Sequence, residues 1–318
     1  MAQAPSRPPQ RANSALEEKR FLFVTGKGGV GKTTVCAAEA VALAQKGKRV
    51  LVAMCNAKER LSTMLGAELV GSEVVPVGAN IWAVNMDPEV ALDEYGMMML
   101  KSRALYKLIF DNKYVRTFFR AVPGMQEWAM LGKAWFHTTE LREDGSNRFD
   151  VVILDAPATG HGLDMLRVPK VILDVVPPGL LRRDAERAWE LFQNPALCAA
   201  VLVTLPEEMP TTETIELARA LQGELSIPIG RIVVNMVLPP LFSKTERGAL
   251  ESVGPVPGED GPAVSIAAGR RRASRERVQA ESLHRLSEEL PVTPSFLPQL
   301  FEDAAQPHAI RELAKRLA

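Results

Sequence analysis

A glycine-rich run directly after a short apolar stretch is the feature that most constrains the fold of this chain. Residues 26–34 read Gly-Lys-Gly-Gly-Val-Gly-Lys-Thr-Thr, between the apolar residues 21–24 and the alanine-rich residues 35–44. The run matches the spacing G-x-x-x-x-G-K-[ST], in which glycines let the backbone fold tightly around a phosphate group. An ordinary glycine-rich turn is the alternative, but the flanking segments favour a strand, a phosphate-binding loop and a helix, in that order.

Each position of this loop has a predicted role in holding a nucleotide. Successive N–H groups of the loop and of the helix N-terminus would point at phosphate oxygens. Lys32 would supply a positive charge, and the hydroxyl of Thr33 would bind Mg²⁺. The nucleotide-binding residues predicted in this run are Gly28, Gly29, Val30, Gly31, Lys32, Thr33 and Thr34.

The charge balance and the cysteine content limit the classes of partner. Lys and Arg number 38 and Asp and Glu number 38, so no net field favours DNA, RNA or an anionic membrane, and we expect no nucleic-acid partner. The chain has 3 widely spaced cysteines, which excludes a disulfide framework and a C-x-x-C metal pair. The sequence therefore predicts a protein of a reducing compartment, the cytoplasm.

Short apolar segments alternate with helical segments along most of the chain, which is typical of a parallel sheet covered by helices on both faces. We predict a disordered tail over residues 1–19, because it is polar, and a single domain over 20–318. Residues 88–145 lack strand signals and read as a helical insertion, and residues 241–262 read as a mobile loop. The predicted strands are residues 21–24, 49–53, 81–84, 151–154, 200–204 and 231–234.

The insertion contains a methionine-rich segment, residues 95–100, that allows two interpretations. Flexible thioethers are common at surfaces that bind varied partners, but methionines at helical spacing more often pack a core. The segment therefore forms either part of an apolar groove for a client or the packing of the insertion itself. Further on, the basic run 270–277 opens a polar helix that extends to Leu290, and such a run is typical of a solvated helix face.

A second motif follows the predicted strand 151–154. Asp155 ends this apolar strand, and an acid in that position downstream of a phosphate loop typically holds Mg²⁺, commonly through water. The next residues, Ala-Pro-Ala-Thr-Gly-His-Gly, suggest a segment that changes conformation when a phosphate leaves. Within it, His161 either orients that segment or is an ordinary structural histidine.

These motifs carry a family resemblance. The early Lys27 resembles the deviant phosphate loop of a class that includes MinD, ParA and the ArsA ATPases. Residues 155–163 are similar to the D-x-A-P-x-x-G-H segment of the ArsA family, which comprises arsenite-pump ATPases and targeting factors for tail-anchored membrane proteins. Residues 87–89, 122–125 and 204–208 agree with it.

The resemblance implies an α/β P-loop NTPase fold, with a doubly wound, mostly parallel sheet and an inserted helical subdomain. It implies ATP or ADP with Mg²⁺ as ligand, and a homodimer or a heterodimer with a paralogous ATPase. Lys27 would reach toward the partner's nucleotide, Asn235 would read adenine, and Pro298, within the C-terminal loop 294–300, would cover the base. The insertions would form an apolar surface for a hydrophobic polypeptide or a membrane-protein partner.

Two departures from the family pattern affect the expected chemistry. Asn56 stands where the family has the carboxylate that orients the attacking water, and an amide cannot take a proton. We therefore predict a catalytic set of Lys27, Lys32, Asn56 and Asp155 in which hydrolysis is slow, because a positioned base is worth roughly 10²–10⁴-fold in rate. With Cys36, Cys55 and Cys198 alone, we expect neither a zinc site nor an arsenite site.

Two other classes of function remain possible from these residues. One is a positioning ATPase similar to MinD or ParA, which would need a basic surface or a C-terminal membrane helix. The C-terminal residues 309–318 are amphipathic but short and without aromatic residues, so we predict a packed terminal helix. The other is a scaffold that binds nucleotide without useful hydrolysis and pairs with an active paralogue.

Overall fold

The computed structural model describes residues 15–100, 124–157, 159–254, 261–290, 292–301 and 305–318. Within these ranges, one eight-stranded sheet has the order β3-β4-β2-β5-β1-β6-β7-β8. The strands are β1 (Phe21–Thr25), β2 (Val50–Cys55), β3 (Val75–Gly78), β4 (Ile81–Met86), β5 (Val151–Asp155), β6 (Cys198–Thr204), β7 (Ile229–Val237) and β8 (Ser295–Pro298).

Helices cover both faces of this sheet, which confirms the predicted fold class. Separate hydrophobic clusters lie on the two sides of the sheet. The helices are α1 (Lys32–Gln45), α2 (Leu61–Leu65), α3 (Pro88–Leu100), α4 (Met125–Phe136), α5 (Thr159–Val175), α6 (Leu180–Gln193), α7 (Glu208–Gly223), α8 (Lys244–Ser252), α9 (Gly261–Glu289) and α10 (Pro307–Leu317).

The strand register sets the location of the site. All neighbouring strands are parallel except β3, which is antiparallel to β4. The central strands β1, β2, β5 and β6 are buried along their whole length, as expected for parallel strands covered on both faces. Their carboxyl ends meet at one edge of the sheet, where open α/β sheets bind ligands.

The six predicted strands are confirmed, whereas β3 and β8 escaped prediction. Both have four residues and contain proline, and β3 also ends in glycine, so neither shows the apolar run of a buried strand. They lie at the two ends of the sheet order, where proline is tolerated because one side of the strand needs no partner.

Three further predictions concern the helical and terminal segments. Helices α3 and α4 pack together in the predicted insertion, where Trp128 is fully buried and its ring lies 6.0 Å from that of Tyr95. In the methionine-rich segment Tyr95 is 6% exposed and Met97 is 43% exposed, which leaves both interpretations of the segment open. The side chains of residues 98–100 and the whole of residues 101–123 lie outside what the structure describes. The C-terminal helix α10 buries Ile310, Leu313 and Leu317, which confirms a packed terminal helix.

Two segments predicted as irregular contain ordered structure. Within residues 241–262, predicted as a mobile loop, Lys244–Ser252 form helix α8. A capping box holds its first turn, since Ser243 accepts from the backbone of Glu246 while the Glu246 side chain accepts in return. Residues 1–14 of the predicted tail lie outside the described ranges, but Leu16–Glu18 form a 3₁₀ turn that buries Leu16.

No helix in the described part of the chain is both long enough and apolar enough to cross a bilayer.

Candidate functional site

The glycine-rich run forms the corner between β1 and α1, and two of its glycines have no room for a side chain. Gly26 has φ 154°, and a Cβ there would lie 2.1 Å from the carbonyl oxygen of Val203 in β6. Gly31 has φ 91°, and a Cβ there would lie 2.3 Å from the side-chain nitrogen Nδ2 of Asn235 in β7. Glycine is therefore required at both positions, and the loop is pressed against two neighbouring strands.

Lys32, the first residue of α1, places its ammonium group over this loop. Its Nζ donates to the carbonyl oxygens of Gly26 and Lys27, at 3.2 Å each. Burial lowers the pKa of Lys32, and the nearby Asp155 carboxylate opposes that shift. Because both acceptors are neutral carbonyls, an anionic phosphate oxygen would be the stronger acceptor for the same ammonium.

Thr33 and Asp155 are brought together as predicted for a Mg²⁺ site. The hydroxyl of Thr33 donates to Oδ2 of Asp155 at 2.6 Å, and Asp155 is 4% exposed at the end of β5. Mg²⁺ prefers oxygen ligands and keeps several waters, so these two oxygens fit it when phosphate and water supply the rest. No cluster of three or more His, Cys, Asp or Glu residues suited to a metal occurs in the described ranges.

Burial controls the protonation of Asp155. It raises the pKa of this carboxyl, while Thr33 and Lys32 act in the opposite direction. Because the Asp155 carboxyl binds its proton more tightly in the folded state than in the unfolded chain, protonation of Asp155 favours folding. This stabilisation is fully present below the pKa of the unfolded chain and is lost as the pH rises through the pKa of the folded state. Mg²⁺ needs the ionised carboxylate, so Mg²⁺ binding has the opposite pH dependence.

Replacing Asp155 by Asn is expected to separate these two effects. The variant keeps the size and the acceptor for Thr33 but removes a buried charge, so the free energy of unfolding at pH 8 should stay equal or rise by about 1 kcal/mol. The Mg²⁺ dependence of ATP binding should become weaker, because Thr33, phosphate and water remain as ligands. Urea unfolding measures the stability, calorimetry with and without Mg²⁺ measures the binding, and an unchanged Mg²⁺ dependence would contradict the assignment.

Lys27 forms an ion pair within its own subunit. Its Nζ lies 2.6 Å from Oε1 of Glu213 on α7, and each side chain is 30% exposed. Sequence reasoning did not identify Glu213, because the two residues are 186 positions apart and no motif joins them.

Asn235 connects the phosphate loop to β7. Its Nδ2 donates to the carbonyl oxygen of Val30 at 2.9 Å, and its Oδ1 accepts from the backbone of Met236 at 3.0 Å. The residue lies inside β7 rather than ending the strand, and it is 4% exposed. Its role in reading adenine stays a prediction, but its position beside the phosphate loop agrees with that role.

A cavity of about 380 Å³ lies at the carboxyl ends of β6 and β7, and Met236, the residue after Asn235, is one of its lining residues. A nucleotide with its phosphates on the loop would extend in this direction. Pro298, predicted to cover the base, ends β8, and the backbone of the next residue, Gln299, donates to Val237 at 2.9 Å. The cavity is lined by Leu205, Pro206, Glu207, Met236, Leu238, Ser274, Arg275, Val278, Gln279 and Gln299.

Helix α9 supplies one wall of this cavity. The predicted solvated face is present as well, since three arginines of the basic run 270–277 are exposed. Gln279 accepts from the backbone N–H of Leu238 at 2.8 Å and donates to its carbonyl at 2.9 Å. Glu276, 2% exposed, accepts from the backbone of Leu241 at 2.8 Å and from Arg272 at 2.8 Å. The charged run therefore fastens α9 to the loop after β7, which periodicity alone could not reveal.

Asn56 is the first residue after β2 and is exposed, with φ 44°. Asn85 holds the next residue, Ala57, through two hydrogen bonds to its backbone, at 3.1 and 2.9 Å. The nearest acid along this segment, Glu59, accepts from the backbone and hydroxyl of Ser62 at the start of α2. Glu59 is thus engaged in capping a helix, and the position of the expected carboxylate is an exposed amide.

The segment after Asp155 packs closely against β1. A Cβ at Gly162 would lie 3.0 Å from the hydroxyl oxygen of Thr25, and that hydroxyl finds no hydrogen-bond partner in the described part of the chain. Residue 158 and the side chain of His161 lie outside what the structure describes, so the two interpretations of His161 stay open.

All three cysteines are free and buried, each in a different element. Burial raises the pKa of Cys198 to about 12, and it also raises the pKa values of Cys36 and Cys55. They are small buried hydrophobes, as predicted for Cys36 and Cys198. The expectation of neither zinc nor arsenite binding stays a prediction.

A family model described as ArsA ATPase, anion-transporting ATPase, matches residues 19–177. A putative arsenical pump-driving ATPase of Halobacterium salinarum is 32% identical over 241 residues, which cover 70% of this chain and 36% of that protein.

Two further relatives are similar over most of the chain. ATPase BagA of Mycobacterium tuberculosis is 28% identical over 231 residues, covering 71% of this chain and 67% of its own length. ATPase GET3 of Kluyveromyces lactis is 26% identical over 264 residues, covering 72% and 74% respectively. The match thus spans about a third of the halobacterial protein and about two thirds or more of the other two.

Proposed function

This chain belongs to the ArsA family of anion-transporting ATPases, and from that membership we propose that it binds ATP with Mg²⁺ and hydrolyses it slowly. One observation carries the proposal. A single corner of the sheet brings the Lys32 ammonium, the Thr33 hydroxyl and the Asp155 carboxylate together, with Thr33 and Asp155 in contact at 2.6 Å. A site for a nucleoside triphosphate needs groups that bind phosphate, a positive charge and ligands for a metal ion.

Calorimetry with ATP·Mg²⁺ tests nucleotide binding directly. Replacing Lys32 by Ala should weaken ATP binding about 10- to 100-fold, because a hydrogen bond to a charged group is lost at a partly buried site. Lys46→Ala, at the other end of the same helix and exposed, is the matched control and should leave binding unchanged. A wild-type protein that takes up neither ATP nor ADP would overturn the proposal.

Slow hydrolysis rests on Asn56. An exposed amide can hydrogen-bond the attacking water but cannot accept its proton, while the capping contacts of Glu59 make it a poor substitute. Such a subunit would also suit a second role that the same residue favours, as the weakly hydrolysing partner of an active paralogue. The rate of ATP hydrolysis of this chain alone, compared with its rate in a mixture with a paralogue of the same cell, distinguishes a slow ATPase acting alone from the weak partner of an active one.

Nucleotide-dependent dimerisation and a hydrophobic client complete the proposal. In the dimer, Lys27 would approach the nucleotide of the second subunit, as the family resemblance implies. The apolar side chains Met97 and Phe136, 43% and 37% exposed on α3 and α4, support a client surface on the insertion. Sedimentation velocity with ATP, ADP and no nucleotide tests the dimer, and equal sedimentation in all three would exclude it.

The alternative of a membrane- or DNA-positioning ATPase finds less support. Helix α10 uses its apolar residues Ile310, Leu313 and Leu317 against the core, which leaves it no apolar face for a membrane. With three buried, unpaired cysteines, we keep the proposal of a reducing compartment, the cytoplasm.

A further inference from the structure

Lys27 and Lys32 lie on the same loop but have acceptors of different strength. Lys32 is bound by two neutral carbonyl oxygens, at 3.2 Å each. Lys27 is bound by a full negative charge, the Glu213 carboxylate, at 2.6 Å. Moving Lys32 to a phosphate exchanges weak acceptors for a strong one, whereas moving Lys27 separates an ion pair.

The pair also fixes the direction of the Lys27 side chain. Glu213 belongs to α7, the helix that follows β6 in the same subunit, so the ammonium of Lys27 is turned toward its own α7. A side chain held there is not available to a second subunit. The Glu213 carboxylate and the nucleotide of a second subunit would therefore compete for the ammonium group of Lys27.

From this contact we propose that Glu213 is a positioning residue, which retains Lys27 within its own subunit and must release it before two subunits close over nucleotide. The inference rests on the nucleotide-dependent dimer proposed above and adds the residue that opposes its formation. Closure then depends on the nucleotide supplying more attraction for Lys27 than Glu213 does.

The strength of this restraint is bounded by exposure. Each side chain is 30% exposed, and an ion pair at such a position changes an equilibrium constant by at most about fivefold. A symmetric dimer releases two such pairs, so the dissociation constant of the ATP-bound dimer would change by up to about 25-fold. Salt screens exposed pairs, which makes the effect smaller at high ionic strength.

Replacing Glu213 by Gln tests the proposal, with Glu216→Gln as matched control. Glu216 is exposed on the same helix, three residues further on, so both variants lose one charge from α7. We expect the Glu213→Gln variant to dimerise at about 2- to 25-fold lower protein concentration than wild type in saturating ATP·Mg²⁺. The control should match wild type, and the difference should narrow in 1 M salt.

The outcomes separate this proposal from the proposed function. Sedimentation equilibrium gives the dimer constants, calorimetry gives ATP binding, and thermal unfolding verifies that each variant is folded. If wild type and both variants dimerise with equal dissociation constants, the proposed role of Glu213 is wrong while the proposed function stands. A weaker dimer for Glu213→Gln would also overturn it, and no ATP-dependent dimer in any of the three would overturn both proposals.

Discussion

Replacing Asn56 by Asp is expected to raise the steady-state rate of ATP hydrolysis by roughly 10²–10⁴-fold. The change restores a carboxylate that can orient a water molecule and accept its proton, at the position directly after β2. Asp tolerates the positive φ of 44° nearly as well as Asn does, so the backbone of this segment should be retained. Release of inorganic phosphate under saturating ATP and Mg²⁺ gives the rate.

Asn80→Asp is the matched control for this experiment. Asn80 has a similar φ of 58° and lies in the turn between β3 and β4, at the edge of the sheet opposite to the carboxyl ends of the parallel strands. The same substitution there should leave hydrolysis unchanged. If wild type already hydrolyses ATP rapidly and Asn56→Asp does not raise that rate, Asn56 does not limit hydrolysis and the prediction is wrong.

Replacing Glu39 by Ala is expected to lower the free energy of unfolding by about 3 kcal/mol. Glu39 on α1 and Arg231 on β7 form an ion pair at 2.7 Å, with side chains 2% and 11% exposed. Arg231 also donates to the carbonyl of Leu317 in α10 at 2.7 Å, so its charge joins three elements. Without Glu39 this buried guanidinium keeps only a neutral acceptor.

Two comparisons test this explanation by urea unfolding. Glu39→Gln preserves an acceptor for Arg231 and should lose less stability, about 1 kcal/mol. Glu39→Leu combined with Arg231→Leu removes both charges and should recover most of the loss, since apolar pairs often replace buried ion pairs at little cost. A loss below 1 kcal/mol for Glu39→Ala would show that water reaches Arg231.

Replacing Glu39 by Ala should also weaken nucleotide binding. Helix α1 begins at Lys32 and carries Glu39 seven residues later, so this ion pair helps hold the helix whose first turn completes the phosphate loop. Loosening it should weaken ATP binding less than Lys32→Ala does, because no ligand contact is removed.

The central sheet could be predicted from the sequence because burial on both faces leaves a local record. The strands β1, β2, β5 and β6 are continuous apolar runs, and the glycines at 26 and 31 mark positions that have no room for a side chain, against the backbone of Val203 and the side chain of Asn235. The short edge strands β3 and β8 leave no such record. Helix α8 was hidden for a related reason, since its signal is one capping box among glycine, proline and serine.

The site could be predicted only where its residues are neighbours in sequence or belong to a familiar motif. Thr33 and Asp155, 122 residues apart, were both expected at the phosphate loop because each occupies a recognisable position at the end of an apolar strand or loop, and the structure places them in contact. The contacts of Glu213 with Lys27 and of Gln279 with Leu238 have no such marker. They depend on where two helices come to rest against the sheet, which periodicity does not encode.

Helix α9 has one more consequence. Its 29 residues give it a length of about 43 Å, and Glu276 and Gln279 attach it near its middle to the loop after β7. Because Gln279 and Leu238 also line the 380 Å³ cavity, any tilt of this helix would carry that wall of the cavity with it.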